Sequence, residues 1–270
     1  MVSVANDALL KLAREVALKA ATLARTRREA GVEIAASKSS LEDVVTHADR
    51  EVETLIRSML ADVRGNDGFY GEEGAADAGS SGLTWVVDPI DGTVNYLYGI
   101  PEYAVSVAVV EGDPDPLTWR AVAGVVVNPS SGEVFTATLD GGAALDGRRI
   151  TANVGVPLDQ ALIGTGFSYS SESRTAQGAV LAGLIGQVRD IRRHGAAALD
   201  LCSVACGRLD AYYERGLQPW DHAAGALIAQ EAGASVTGLR GQPASADFTL
   251  AAAPDLALDL EQTLRELGIN

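Results

Sequence analysis

The spacing of apolar positions changes along this chain from helical to alternating. In the first 63 residues, apolar side chains recur every three or four positions and predict helices over residues 6–28 and 41–63, with Ser40 as the N-cap of the second. Segments rich in Val and aromatic residues follow, separated by Gly, Asn, Pro and Asp turns. They predict a largely antiparallel meander made of WVVD, YAVSVAVVEG, AVAGVVVNP and GEVFTATL.

Helices and short strands alternate from about residue 155 onward. The strands are expected in ALIGTG, DAYYE, ASVTG and FTLAAAP, and the helices over 174–187, 196–207, 220–232 and 256–267. Such alternation is typical of a layered αβ unit. The pattern therefore predicts an N-terminal α+β lobe over residues 1–152 and a C-terminal αβα lobe over residues 153–270, without a linker long enough for two independent domains.

Composition and charge exclude several classes of partner. The 270 residues are 47% hydrophobic, which suits one sizeable globular body. The 36 acidic and 21 basic residues give a net charge of -15, which argues against nucleic acid or an anionic membrane as the partner. An anionic substrate would need cations to bridge it. The chain has no signal-peptide pattern and no membrane-spanning apolar run, and its two cysteines fit core packing, so a cytoplasmic protein is expected.

Candidate chemistry is concentrated in the segment TWVVDPIDGTVNY, residues 84–96. An apolar strand ends there in two aspartates, a proline and a glycine, so Asp88 and Asp91 can converge at the strand's end. The amides of Gly92 and Thr93 then lead into a short helix, a common arrangement for binding phosphate. Asp-Pro and Asp-Gly are also frequent turn dipeptides, so these residues alone leave a surface turn equally open.

Three other segments carry acidic residues beside predicted elements. Glu72 follows the strand-like GFY in GEEG, and Asp221 lies near the start of the helix in QPWDHAAGALIAQEAG. Asp49, in VVTHADREVE, lies on a helix whose apolar side chains face a core. The functional interpretation of the DPIDG segment gains support if these carboxylates meet in the fold.

With these segments in this order, the sequence resembles the inositol monophosphatase family of magnesium-dependent, lithium-sensitive sugar phosphatases. The resemblance spans residues 36–252 and rests on KSSLEDVVTHAD, GEEG, WVVDPIDGTVNY, DAYYE and PWDHAAGALIAQEAG. Within the family, the chain is most similar to bacterial, especially actinobacterial, inositol-1-monophosphatases. The resemblance implies an α+β or α/β fold, namely a layered αβαβα sandwich of the sugar-phosphatase type, and a homodimer.

The resemblance also implies two to three Mg²⁺ ions as cofactor. The implied metal ligands are Glu72, Asp88, the main-chain oxygen of Ile90, Asp91 and Asp221. Ligands that are all oxygen atoms suit a hard cation such as Mg²⁺. Charge balance agrees, because four carboxylates and a dianionic phosphate together offset three divalent cations.

Further roles follow from the resemblance for catalysis and substrate binding. Glu72 and the Thr93 hydroxyl are implied to orient and deprotonate the attacking water, and Asp49 to accept the Thr93 proton. The implied substrate-binding residues are Asp91, Gly92, Thr93, Gly195, Ala196, Glu214 and Asp221. A small-molecule phosphomonoester, with neither nucleic acid nor a membrane as partner, is therefore expected.

The implied substrate is inositol 1-phosphate, converted to inositol and phosphate. Glu214, in DAYYERG, matches the family's acidic residue that accepts hydrogen bonds from ring hydroxyls, although a surface glutamate beside Arg215 is the alternative. Ala196 stands where many members have Ser or Thr, so one hydroxyl contact is missing. Histidinol phosphate, a nucleotide 3'-phosphate and fructose 1,6-bisphosphate remain alternative substrates, and a regulatory protein-binding role on the same fold remains an alternative function.

Three other polar residues carry weaker functional hypotheses. His47 and His194 each lack a second metal-type partner in the sequence, so a solvated or packed histidine is favoured over a catalytic one. Lys38 matches a mobile family loop that approaches the active site, although a lone lysine in a polar loop is more often simply solvated.

Overall fold

The computed structural model describes residues 2–32, 34–37 and 44–270. The helices are α1 (Val2–Ala30), α2 (His47–Arg64), α3 (Thr93–Tyr98), α4 (Ser171–Leu184), α5 (Ala197–Ala205), α6 (Pro219–Glu231) and α7 (Pro254–Glu266). The strands are β1 (Ile34–Ser37), β2 (Val44–Thr46), β3 (Gly68–Gly71), β4 (Leu83–Asp91), β5 (Ala104–Glu111), β6 (Arg120–Val127), β7 (Val134–Thr138), β8 (Gly142–Leu145), β9 (Arg148–Arg149), β10 (Leu162–Thr165), β11 (Asp190–Arg192), β12 (Ala211–Glu214), β13 (Ser235–Thr237) and β14 (Thr249–Ala252). In this described part of the chain, no helix is long and apolar enough to cross a membrane.

Strands β3 to β9 form a seven-stranded sheet in chain order. Strands β4 to β7 pair antiparallel in succession, so the predicted meander is confirmed. Strands β5 and β6 are buried on both faces along most of their length, which explains why they are nearly continuous runs of Val and Ala. Strands β8 and β9 extend the meander beyond the prediction.

The C-terminal half contains a five-stranded sheet with the order β11-β10-β12-β14-β13. Strand β10 pairs parallel with β11 and β12, whereas β14 is antiparallel to β12 and β13. The four predicted strands of this half are present, and β11 is an additional edge strand. The carboxyl ends of β10 and β12 therefore lie together at one edge of the sheet.

Three hydrophobic clusters arrange these elements into five layers. The first packs α1 and α2 on one face of the seven-stranded sheet. The second lies between the two sheets and contains α5 and α6. The third packs α4 and α7 on the outer face of the five-stranded sheet. The order is αβαβα, as the resemblance implied, and Cys202 is buried in the middle cluster as predicted.

The predicted start of the second helix is wrong. Helix α2 begins at His47 rather than at residue 41, and residues 44–46 form strand β2, which pairs with β1. A capping box fixes this start, because the Thr46 side chain accepts from the Asp49 amide and the Asp49 side chain accepts from the Thr46 amide. Ser40, the predicted N-cap, and Lys38, the residue of the loop proposed to approach the active site, lie outside the described residues.

Candidate functional site

Most of the predicted site residues line one cavity of about 480 Å³ between the two sheets. The seven-stranded sheet and its connections contribute Glu72, Asp88, Ile90, Asp91, Gly92 and Thr93. The C-terminal half contributes Gly195, Glu214 and Asp221. Carboxylates that are up to 149 positions apart in the sequence, Glu72 and Asp221, therefore face the same space.

An irregularity in β4 points both aspartates of the DPIDG segment to the same side. Asp88 pairs with Ser106 and Asp91 pairs with Ala104, so an advance of three residues along β4 corresponds to an advance of two residues along β5. In a regular strand, residues three apart face opposite sides of the sheet, and the extra residue restores the same side. Pro89 fits this position because it has no amide hydrogen to donate to the ladder.

The turn after β4 requires glycine at position 92. Gly92 has a φ of 87° and precedes the first residue of α3. A Cβ at this position would lie 3.0 Å from the main-chain oxygens of Glu102 and Gly195. Gly92 therefore lets β4 turn into α3 against the loop that precedes α5.

Asp91 connects this turn to helix α5. Its two carboxylate oxygens accept from the amides of Ala197, at 3.3 Å, and Ala198, at 2.7 Å. The N-cap residue of α5, Ala196, has no side-chain acceptor of its own, so Asp91 caps the helix from 106 residues away. The bond from Ala198 lowers the Asp91 pKa, but burial outweighs it and raises that pKa to about 8.

Burial and acidic neighbours raise the pKa values of the aspartates in the cavity. Burial, followed by the charges of Glu72, Asp91 and Asp221, raises the Asp88 pKa well above its usual value. Asp88 also shares a hydrogen bond with Glu72. The Asp221 pKa is raised well above its usual value by burial and then by Asp91 and Glu72. The cluster therefore disfavours four negative charges unless positive charge is supplied.

The donor chemistry of the cavity fits a hard divalent cation. Five carboxylates line it, those of Glu72, Asp88, Asp91, Glu214 and Asp221. Ile90, whose carbonyl oxygen is the other predicted ligand, also lines it, and within the described part of the chain the lining contains no histidine or cysteine. Across the residues described, no group of three or more acidic, histidine or cysteine side chains is positioned to hold a metal ion. The fit thus rests on the oxygen donors and on the mutual repulsion of the carboxylates, which a divalent cation would relieve.

Thr93 and Asp49 lie together although α2 and α3 are far apart in the sequence. The Thr93 hydroxyl is 3.2 Å from Asp49 Oδ1 and 3.2 Å from the Ile90 carbonyl oxygen. Asp49 is fully buried behind Thr93 and is also held by the capping box with Thr46. Burial is the largest influence on the Asp49 pKa and raises it to about 6.

Glu214, the last residue of β12, lines the cavity from the C-terminal half. The buried Tyr212 hydroxyl donates to Glu214 Oε2 at 2.5 Å, and burial raises the Glu214 pKa to about 7. On the neighbouring chain segment, Gly166 leaves space for this carboxylate, because a Cβ there would lie 1.9 Å from Oε2. The predicted contact residue Ala196 is buried and is not part of the cavity lining.

Sequence reasoning missed two groups near the cavity. Arg193 lines it, and its positive charge partly offsets the burial that raises the pKa values of Glu214 and Asp200. His194, which lacks an evident partner in the sequence, lies with Nδ1 2.6 Å from Oδ1 of the buried Asp200. This hydrogen bond raises the His194 pKa. The sequence gives no signal for the His194–Asp200 pair, because the two residues are six apart and lie on either side of the start of α5. His47 is exposed, in keeping with a solvated histidine.

Comparisons with known proteins agree with the sequence resemblance. A family model described as "Inositol monophosphatase family" matches residues 5–267. "Inositol-1-monophosphatase" of Mycobacterium bovis is 44% identical, with 96% of this chain and 94% of that protein covered. The solved structure "Mycobacterium tuberculosis SuhB" is 41% identical with a TM-score of 0.81, and 97% of each chain is covered. "Nus factor SuhB" of Xylella fastidiosa is 42% identical over 75% of this chain and 71% of its own length.

Proposed function

Since the chain belongs to the inositol monophosphatase family, we propose that it is a Mg²⁺-dependent phosphomonoesterase that hydrolyses inositol 1-phosphate. The observation that carries the proposal is that four carboxylates, Thr93 and Glu214 line one cavity, with the buried Asp49 hydrogen-bonded to Thr93. The carboxylates supply cation ligands, the pair supplies a proton acceptor for Thr93, and Glu214 supplies an acceptor for substrate hydroxyls.

The residues proposed to hold Mg²⁺ are Glu72, Asp88, Asp91, Asp221 and the Ile90 carbonyl oxygen. When bound, Mg²⁺ supplies positive charge that offsets the carboxylates and the phosphate and makes water in the cavity more acidic. The amides of Gly92 and Thr93 are proposed to donate to phosphate oxygens. The cation and these two amides would together hold the phosphate in the cavity that the carboxylates line.

The proton transfers are assigned to three side chains. Because the Thr93 hydroxyl can donate to Asp49, its oxygen is left to accept a hydrogen bond from the attacking water. Glu72, on the same cavity wall, is proposed to orient that water and act as general base. The low local polarity around Asp49, which raises its pKa to about 6, suits a carboxyl that shares a proton with Thr93.

The alcohol part of the substrate is proposed to contact Glu214. An inositol ring presents neighbouring hydroxyl donors, and an oriented carboxylate can accept from two of them. Tyr212 and Gly166 fix the position of that carboxylate. Inositol 1-phosphate is therefore favoured over phosphomonoesters that lack adjacent hydroxyls.

Phosphate release with and without Mg²⁺ tests the proposal. Inositol 1-phosphate should give a higher kcat/KM than histidinol phosphate, a nucleotide 3'-phosphate or fructose 1,6-bisphosphate, and chelation should remove the activity. A higher kcat/KM for another member of this panel would replace the inositol assignment while keeping the phosphatase. Activity that survives chelation would refute the role of the carboxylates as metal ligands.

A protein-binding regulatory role is the second candidate. It is favoured by the similarity to the Xylella protein, whose name is "Nus factor SuhB". The two roles separate when the chromosomal gene is replaced by one encoding Asp88→Asn. If phosphatase activity is the cellular role, this strain should match a deletion strain. Normal growth where the deletion strain is impaired would support the binding role.

A further inference from the structure

A second cavity, of about 580 Å³, adjoins the candidate site. The two cavities share residues 166–168, which follow β10, and residues 214–216, which end and follow β12. The second cavity lies on the face of the five-stranded sheet that carries α4 and α7, whereas α5 and α6 pack on the other face. The cavities thus meet around the carboxyl ends of two parallel strands, where ligands commonly bind in α/β folds.

Apolar groups line most of the second cavity. Helix α4 presents Ser173, Ala176, Gln177 and Val180, which have the i, i+3, i+4, i+7 spacing of one helix face. The apolar side chains of the lining are Ala176, Ala179 and Val180 on α4, and Phe167, Tyr213, Ala246, Leu267 and Ile269 elsewhere. The charged members of the lining are Glu214, Arg215 and Asp247, and Arg215 and Asp247 are joined by a hydrogen bond from Arg215 Nε to the Asp247 carbonyl oxygen. The lining therefore suits an uncharged, largely apolar group.

Glu214 stands where the two cavities meet. Along β12, Tyr212 belongs to the cluster with α5 and α6, and Tyr213 belongs to the cluster with α4 and α7. Glu214 is the last residue of the strand and lines both cavities. An alcohol that contacts Glu214 through a hydroxyl can therefore carry a substituent over the strand end into the second cavity.

We propose that the second cavity binds an uncharged aryl or alkyl substituent on the alcohol part of a phosphomonoester whose phosphate lies in the candidate site. This inference rests on the proposed function and widens its substrate class from small polyol phosphates to phosphomonoesters with an apolar extension. The substituent exchanges water for the side chains of α4 and the C-terminal segment, which increases kcat/KM without changing the reacting bond.

The test compares propyl phosphate with 3-phenylpropyl phosphate, whose primary alkoxide leaving groups have similar basicity. Burial of most of the phenyl ring should raise kcat/KM by at least about tenfold for the phenyl compound. Phenylalkyl phosphates with one to five methylenes should show an optimum length, because the distance between phosphate and cavity is fixed. Equal kcat/KM for propyl and 3-phenylpropyl phosphate would overturn the proposal.

Two matched variants on α4 test whether the higher kcat/KM of the phenyl compound arises from the second cavity. Thr175 and Ala176 are neighbours and are both exposed, but only Ala176 lines the second cavity. Ala176→Phe should place a ring in the part of the cavity beside α4 and abolish the advantage of the phenyl compound, while Thr175→Phe should retain it. Both variants should hydrolyse inositol 1-phosphate like the parent protein. A phenyl advantage that persists in Ala176→Phe would overturn the assignment to this cavity.

A binding measurement separates this inference from the proposed function. Calorimetry with 3-phenylpropylphosphonate, which has no hydrolysable ester bond, should give a lower Kd than propylphosphonate, and only Ala176→Phe should remove the difference. If no phosphomonoester is hydrolysed but this difference is found, the proposed function fails and the cavity assignment stands. If hydrolysis occurs and both phosphonates bind equally, the cavity assignment fails alone.

Discussion

In the absence of divalent cations, the free energy of unfolding should decrease as the pH rises from 5 to 8. Burial raises the Asp91 pKa from 3.8 to about 8. In the unfolded chain the same carboxyl loses its proton near its ordinary pKa, so between these values the native state holds a proton that the unfolded state lacks. The stabilisation from Asp91 is therefore complete below about pH 4 and is lost as the pH rises through about 8.

The expected effect is large enough for thermal unfolding to detect. Each pH unit inside this window changes the free energy of unfolding by about 1.4 kcal/mol per group, so Asp91 alone contributes roughly 4 kcal/mol between pH 5 and 8. Asp88 and Asp221, whose pKa values are also raised by burial and by their acidic neighbours, act in the same direction. At about 2 to 4 °C per kcal/mol for a chain of this size, the Tm should fall by roughly 8 to 16 °C.

The assay is thermal unfolding in a chelator at constant ionic strength, at pH 5, 6, 7 and 8. Asp91→Asn should reduce the pH slope of the Tm, whereas Asp159→Asn, which changes an exposed carboxyl outside the cavity, should keep the parent slope. Added Mg²⁺ should raise the Tm more at pH 8 than at pH 5, because the ion binds ionised carboxylates. A Tm in chelator that is level or rises between pH 5 and 8 would refute the reasoning.

Three further predictions concern turnover. Asp88→Asn should nearly abolish phosphate release at limiting Mg²⁺ because a proposed metal ligand is lost, and near-parent activity would contradict that role. Thr93→Ala should lower kcat by roughly 10² to 10⁴ with a smaller change in KM, while Thr93→Ser keeps much of the rate; a phosphothreonine trapped at position 93 would overturn direct attack by water. Glu214→Gln should lower kcat/KM for inositol 1-phosphate by about one to two powers of ten and leave para-nitrophenyl phosphate nearly unchanged. Equal losses on both substrates would assign Glu214 to the metal site or the fold.

The meander and the layered C-terminal half could be predicted because they follow from local patterns, whereas the order of the five layers was implied by the family resemblance. Valine-rich strands separated by turn residues determine β4 to β7, and short strands between amphipathic helices indicate the layered C-terminal half. The convergence of Asp88 and Asp91 was also foreseeable, since Pro89 and Gly92 interrupt a regular strand at the point where the register shifts. These features depend on residues that are close in the sequence.

The start of α2 shows where periodicity misleads. Leu41, Val44 and Val45 continue the helical spacing of apolar positions, so the spacing alone extends the helix toward Ser40. Pairing of β2 with β1 competes for residues 44–46, and the capping box formed by Thr46 and Asp49 starts the helix at His47. The Thr-x-x-Asp pattern is visible in the sequence, but the strand partner that decides between the alternatives is not.

Asp91 explains why the site requires both halves of the fold. Its carboxylate oxygens accept hydrogen bonds from the first two amides of α5, and the same side chain lines the cavity together with Asp88. A carboxylate that binds a cation at Asp91 must therefore also accept the hydrogen bonds from the amides at the start of α5. Withdrawal of the carboxylate from α5 would leave buried amides without an acceptor, which costs about 1 to 3 kcal/mol each. We therefore expect the proposed binding of a cation at Asp91 to be linked to the position of the 193–196 loop, because the same carboxylate accepts hydrogen bonds from the helix that follows this loop.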